Sequence, residues 1–192
     1  MGSNIIINKK STNKRFHHVS VIIISVILIV VLSFLPFENF FITFDSAEES
    51  FRYYTLGESD IQLIIEGENS DFIISSKKNV DTYLIIPKTA KGWKIGIGSN
   101  TKRIVRKLDY GISVFVYQYK NTKDYFITIL DTNGGESKIS DNYNTDFYSL
   151  EKYNRPLEKN FITYYAHIPD FNSQYTVVVN GKEITFNNQE TV

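Results

Sequence analysis

His167 is the only histidine beyond residue 18, and Asp170 stands three positions after it. A histidine beside a carboxylate can serve as a base, but it needs a nucleophile and an orienting group within reach. The apolar run carrying His167 stops before Pro169, and no Gly-x-Ser-x-Gly, His-Glu-x-x-His or P-loop pattern supplies the missing partner. His167 therefore reads as structural, and no catalytic residue is assigned. Asp131, Asn133, Glu136, Asp141, Asn142, Asn144 and Asp146 offer oxygen ligands of the kind calcium takes. The EF-hand spacing fails, because Tyr143 interrupts the series and no glycine stands at the sharp turn. No metal and no cofactor are expected.

Lys102, Arg103, Arg106 and Lys107 could meet anionic lipid heads or cell-wall phosphates. On a regular strand, Lys102 and Arg106 point opposite to Arg103 and Lys107, which splits the patch. Gly96-Ile97-Gly98-Ser99-Asn100-Thr101 lacks the last glycine of a dinucleotide fingerprint and precedes a strand, so it reads as a turn. Trp93 reads as core.

The surface with most potential is an aromatic hairpin, Ile112–Tyr119 and Tyr125–Leu130, around Asn121-Thr122-Lys123-Asp124. A four-residue turn would pair Tyr119 with Phe126, Tyr117 with Thr128 and Val116 with Ile129. One face, Ile112, Val114, Val116, Ile127 and Ile129, must then be core. The other carries Phe115, Tyr117, Tyr119, Phe126, Thr128 and Leu130. Tyrosines with polar tips can stack on a sugar or peptide, so Phe115, Tyr117, Tyr119, Phe126 and Thr128 are the candidate ligand-binding residues. The alternative is that this face packs beneath a helix or a long loop.

The element that positions all of this is Val19–Phe37, nineteen residues without a charge. As a helix it would be about 28 Å long, close to the roughly 30 Å of a hydrocarbon core. It is apolar on every side, where a surface helix would show a polar stripe. A cleavable signal would end in an Ala-x-Ala-like site, and Asp45 occupies the position that Ala47 would need small. All basic residues of the first 37, Lys9, Lys10, Lys14 and Arg15, precede the run, so the amino terminus is expected in the cytoplasm. The expected organisation is a basic cytoplasmic tail at 1–18, a transmembrane helix at 19–37, a membrane-proximal linker at 38–45 and an extracytoplasmic domain at 46–192. The linker carries Phe40, Phe41 and Phe44, placed like an interfacial aromatic cluster.

Four of the 21 basic residues precede residue 38 and none of the 21 acidic ones does, so residues 38–192 hold 17 bases against 21 acids, a formal charge of −4. That is not a nucleic-acid surface. The chain has no cysteine, which excludes disulfide staples, thiolate catalysis and cysteine-based zinc sites. An exported domain without disulfides points to a bacterial envelope.

Ser46–Leu56 has the pattern of a helix, with a Ser46/Glu49 capping box and Gly57 as its stop. Strands are expected at Ile61–Glu66, Phe72–Ser75, Thr82–Ile86, Trp93–Ile97 and Arg103–Leu108, with turns at Gly67–Asp71 and Lys77–Asn79. Asp131–Asn160, with Gly134-Gly135 and Pro156, reads as a long loop holding one short strand near Lys138–Ile139. Phe161–Ile168, Tyr175–Asn180 and Glu183–Phe186 resume the sheet. Asn180-Gly181 signals a two-residue type I′ turn pairing Val177 with Ile184 and Tyr175 with Phe186. The fold class is α+β: a transmembrane helix, one short helix, then a mainly antiparallel sheet domain.

The stretches SAEESFRYYTLGE, YLIIPKTAKGWKI and YTVVVNGKEITF, in that order behind the apolar run, resemble small uncharacterised single-pass membrane proteins of Gram-positive bacteria. The resemblance implies an envelope location and no assigned chemistry. The expected function is a membrane-tethered interaction or ligand-binding domain that is not an enzyme. Its partners would be the bilayer, through residues 19–37, and a membrane protein or a cell-wall polymer. An accessory or immunity-type protein that binds another membrane protein, and a cell-envelope enzyme, are the alternatives.

Overall fold

The structure, a computed structural model, describes residues 10–34, 41–78, 80–95, 101–120, 122–154, 159–172 and 174–186. The chain forms two compact units, Met1–Phe41 and Ile42–Val192. The first contains helix α1 (Lys10–Phe34), in which the described side chains are those of residues 18–30. Those from Val19 to Val30 include Val, Ile and Leu at every turn, each 49–64% exposed. Among the described residues no helix is long and apolar enough to cross a membrane. Val31–Phe37 of the expected span lie beyond the described side chains, as do Phe40 and residues 38–39 of the expected linker.

The second unit is α+β and mostly antiparallel sheet, as expected. Helix α2 (Ala47–Tyr54) starts where the capping pattern places it, with Ser46 Oγ accepting from the Glu49 amide at 3.1 Å. The return bond differs, because Glu49 Oε2 accepts from the Asp45 amide, one residue earlier than in a capping box. The helix ends before the expected Leu56. Leu56 (φ +53) and Gly57 (φ +71) are both left-handed, and the Gly57 amide donates to the Arg52 carbonyl.

Among the described residues, twelve strands make three antiparallel sheets. The first has the order β1 (Asp60–Glu66), β2 (Ser70–Lys77), β3 (Val80–Thr89), β4 (Gly92–Trp93). Phe44 bridges Trp93 at its edge, while the rest of the expected Trp93–Ile97 strand falls outside strand structure or beyond the described residues. The second contains β5 (Thr101–Asp109), β6 (Ile112–Tyr119), β7 (Tyr125–Asp131), β9 (Tyr148–Asn154) and β10 (Lys159–Ile168), ordered β5-β6-β7-β10-β9. The third is β12 (Lys182–Thr185), β11 (Thr176–Val179), β8 (Ile139–Asp141).

The sheets and α2 stack as four layers. Ala47 and Phe51 of α2 pack on Ile73, Leu84 and Ile86 of the first sheet. That sheet's other face, with Ile65, Phe72, Ile74 and Ile85, meets Phe126 and Tyr165 of the second. The second sheet's remaining face, including Val114, Val116, Ile127 and Ile129, meets Val177, Val179 and Ile184 of the third. Strand β3 runs across the second sheet. The Ile85 amide donates to Thr101 Oγ1 on the β5 edge at 3.3 Å, while Asp81 pairs with Lys152 on the opposite β9 edge at 2.5 Å.

Two further expectations change. Strand β9 lies within the segment expected to be a loop, and pairs Leu150 with Thr163 and Tyr148 with Tyr165. The β6–β7 register is Tyr117↔Phe126, Phe115↔Thr128 and Val116↔Ile127, two residues from that expected. An even shift leaves every side chain on its own face, so Ile112, Val114, Val116, Ile127 and Ile129 are core, at 1% exposure or less. The Asn180-Gly181 turn is as expected, with φ of +52 and +78 and Val177 opposite Ile184.

Candidate functional site

The aromatic hairpin face lies between sheets. Phe126 is 0% and Thr128 3% exposed, while Phe115, Tyr117, Tyr119 and Leu130 are half-buried. Phe72 of β2 sits 5.5 Å from the Tyr117 ring and 5.2 Å from Phe126, and Tyr83 is 6.0 Å from Tyr117. Phe126 and Thr128 are therefore packing residues rather than a ligand-stacking surface. The reason is architectural: a five-stranded sheet apolar on both faces needs two covers, and the eight-residue α2 already lies on the first sheet. The β1–β3 meander supplies the second cover.

His167 meets a carboxylate, but not Asp170. Its Nε2 lies 3.2 Å from Asp124 Oδ1, and its ring packs 5.3 Å from Phe126. Asp170 instead accepts from Asn172 Nδ2 at 2.9 Å. Asp124, 1% exposed, is the hub of a junction between sheets. It accepts from the Glu68 amide (3.0 Å), the Asn69 amide (2.7 Å) and Ser70 Oγ (2.9 Å), so the β6–β7 loop grips the β1–β2 turn. Gly67 permits the approach, since a Cβ there would lie 2.6 Å from the Ser70 carbonyl and 3.0 Å from the Phe126 ring. Asp124, Ser70 and Gly67 read locally only as turn residues; their meeting carries no local signal, because it joins residues more than fifty positions apart.

The order of these groups bears on chemistry. Asp124 lies between Ser70 and His167, so the imidazole does not reach the hydroxyl, and Ser70 is 0% exposed. A nucleophilic triad needs the histidine in the middle. Burial pushes the Asp124 carboxyl up, but the hydrogen bonds from His167, Ser70, Asn69 and Glu68 prevail and hold it below the usual aspartate range. Its neighbour Asp71 behaves oppositely. Burial raises it to about 6, the Gly67 amide pulls down, Glu66 raises it, Lys88 lowers it and Asp124 raises it.

Beside the junction lies a cleft of about 430 Å³ lined by Ile64, Ile65, Glu66, Thr145, Asp146, Tyr148 and His167. Strands β1 and β10 form its walls and the segment before β9 closes one side. Its lining is mixed, with Ile65 beside the exposed residues Glu66 and Asp146, and Tyr148 is 52% exposed.

The acidic segment is built into the fold. Asp131, 3% exposed, accepts from Asn133, Ser137 Oγ and Asn180 Nδ2, the last at 3.0 Å. Asp141 accepts from the Tyr143 and Thr145 amides and from the Tyr175 hydroxyl at 3.1 Å. Among the described residues no group of three or more His, Cys, Asp or Glu side chains is placed to hold a metal. The basic strand departs from expectation. A bulge between Arg103 and Val105 sets Arg103 opposite Tyr117 and Arg106 opposite Phe115, so the two arginines share one face while Lys102 and Lys107 share the other. Arg103 lies 5.7 Å over the Phe115 ring. Trp93 is half-buried, with Lys88 Nζ 5.1 Å from its ring. Gly96–Asn100 and Asn121 lie outside the described residues.

Comparison with protein-family models, with curated proteins and with solved structures finds no match to this chain.

Proposed function

We propose that the chain is a single-pass, membrane-tethered binding domain of the bacterial cell envelope, with its amino terminus in the cytoplasm and residues 46–192 outside. The observation that carries this is α1: from Val19 to Val30 its apolar side chains are exposed all round, a surface that water does not tolerate and a bilayer does. The sequence extends that run through Val31, Leu32, Phe34, Leu35 and Phe37, to a length of nineteen residues, about one hydrocarbon thickness.

The domain binds rather than reacts. Its reading as non-catalytic draws on the placement of Asp124 between Ser70 and His167, which separates the histidine from that hydroxyl. The ligand site is the cleft beside His167, where Glu66, Asp146 and Tyr148 suit a cationic group. The test is fractionation of cells expressing the full chain. The protein is expected to stay with membranes through alkaline carbonate, and reversal of Lys9, Lys10, Lys14 and Arg15 to Glu should scramble its orientation. Release of the unaltered chain into the carbonate supernatant would refute the tether. An accessory role would appear as one dominant membrane partner crosslinked through residues placed in α1.

A further inference from the structure

The β5–β6 hairpin ends in a two-residue turn between the paired Asp109 and Ile112, with Tyr110 (φ +49) and Gly111 (φ +79) both left-handed. Asparagine or glycine suits the first of these positions, and a bulky residue there is strained. Packing of the Tyr110 ring does not offset that strain, because Tyr110 is 68% exposed, and so is Leu108 just before it. The turn is nevertheless firmly held. The Thr132 amide and hydroxyl both donate to the Gly111 carbonyl, at 2.9 and 2.6 Å, and Asn133 Nδ2 donates to the Tyr110 carbonyl at 3.1 Å. Asn133 is anchored in turn by the buried Asp131. A tyrosine and a leucine are thus fixed at an exposed tip.

Cations surround this tip. Lys182 Nζ lies 4.8 Å from the Tyr110 ring, and Lys107 reaches the Thr185 carbonyl at 2.7 Å. The bulge puts Arg103 and Arg106 on one face of the edge strand, and neither forms an ion pair among the described residues. The acids near the tip are Asp109, Glu183 and the buried Asp131, against Arg103, Arg106, Lys107 and Lys182, although residues 38–192 are acidic as a whole. A second exposed apolar group, Tyr53, Tyr54 and Leu56, stands among Glu48, Glu49 and Glu58, with Arg52 paired to Glu48 and Lys77 to Glu58. Of these two groups, the β5–β6 tip matches an anionic surface.

We infer that the β5–β6 tip docks on the bilayer, with Leu108 and Tyr110 entering the interfacial zone and Arg103, Arg106 and Lys182 meeting anionic lipid phosphates. The inference rests on the tether proposed above: the eight residues Glu38–Asp45 reach at most about 29 Å when extended, which keeps the domain within range of the headgroups. Docking would fix the orientation of the domain, and so the direction in which the His167 cleft faces.

The test uses the full chain in nanodiscs of phosphatidylcholine alone or mixed with phosphatidylglycerol, with dibrominated acyl chains as quencher. Tyr110→Trp adds a reporter to the single native tryptophan, and Leu108→Trp serves as a second where the first disturbs folding. With anionic lipid, the added emission should fall about two-fold, and Arg103→Gln with Arg106→Gln, or about 0.5 M salt, should restore it. Emission from both reporters that is unquenched in every lipid mixture overturns the docking. So does shielding from aqueous quencher without bromine quenching, which would indicate a protein occupant. A chain that stays on the discs in carbonate with an unquenched tip contradicts docking alone. One that washes off in carbonate contradicts the tether, and the quenching seen before the wash still decides the docking.

Discussion

The two faces of the second sheet differ in kind. Towards the third sheet it presents Val114, Val116, Ile127, Ile129, Ala166 and Ile168, aliphatic side chains at 0% exposure. Towards the first it presents Tyr117, Phe126, Tyr165 and His167, with Thr128 among them. The aliphatic face also carries Tyr164, whose hydroxyl accepts from the Ser137 amide at 2.6 Å, and it otherwise holds by packing and burial. The aromatic face brings buried polar atoms with it, and the Thr128 and Tyr165 hydroxyls lack a well-formed hydrogen bond among the described residues. Besides packing, polar links cross it at the Asp124 junction, at the Asp81–Lys152 pair and where the Ile85 amide donates to Thr101 Oγ1. The cleft opens beside that junction, where the packing is interrupted.

The difference predicts how each interface fails. Ile127→Ala removes a fully buried side chain from the aliphatic interface; it should cost about 3–4 kcal/mol in urea unfolding, with no pH dependence. Asp124→Ala leaves the Ser70 hydroxyl, two turn amides and His167 without their acceptor; a loss of about 2–4 kcal/mol is expected, with faster hydrogen exchange at Glu68 and Asn69. If the two substitutions gave the same pattern of exchange, the interfaces would not be distinct.

Asp71 and Asp124 should pull stability in opposite directions with pH. Asp124 is held below its ordinary value, so its contribution is present above about pH 4 and is lost as pH falls through its folded value. Asp71 is raised to about 6, so the native state holds its proton more tightly and stability falls between about pH 4 and 6 as it ionises. Asp71→Asn should therefore stabilise the domain by about 1–2 kcal/mol at pH 7 and by little at pH 4. Equal effects at the two pH values would show that Asp71 does not ionise in that window. The smallest effect is expected of Tyr165→Phe. Burial, with Tyr83 and Asp81 nearby, raises that phenol, and its hydroxyl has little to lose. The change should stay within about 1 kcal/mol of neutral.

Much of this was legible locally. The Ser46 cap, the Asn180-Gly181 turn and the alternation of Ile112, Val114 and Val116 are short-range signals that tertiary contacts did not override. The hairpin register was displaced because the chain from Tyr119 to Asp124 serves as loop, with Asp124 turned onto the β1–β2 backbone, a demand invisible in the hairpin itself. Strand β9 was hidden because Ser149, Glu151 and Lys152 give it no apolar run. The face that looked like a ligand surface was covered for a non-local reason, since nothing in Tyr117 or Phe126 states that a separate sheet lies across them. The pairing of Arg103 with Arg106 required the bulge, which breaks the strict alternation assumed for a strand.

The absence of native cysteine makes the decisive measurement simple. Ser3→Cys and Glu183→Cys are made separately in the full chain, and intact cells are treated with a membrane-impermeant maleimide. A tethered domain facing outward predicts labelling at position 183 before lysis and at position 3 only after it. Labelling at position 3 in intact cells, or none at position 183 until lysis, would contradict the topology on which the functional reading stands.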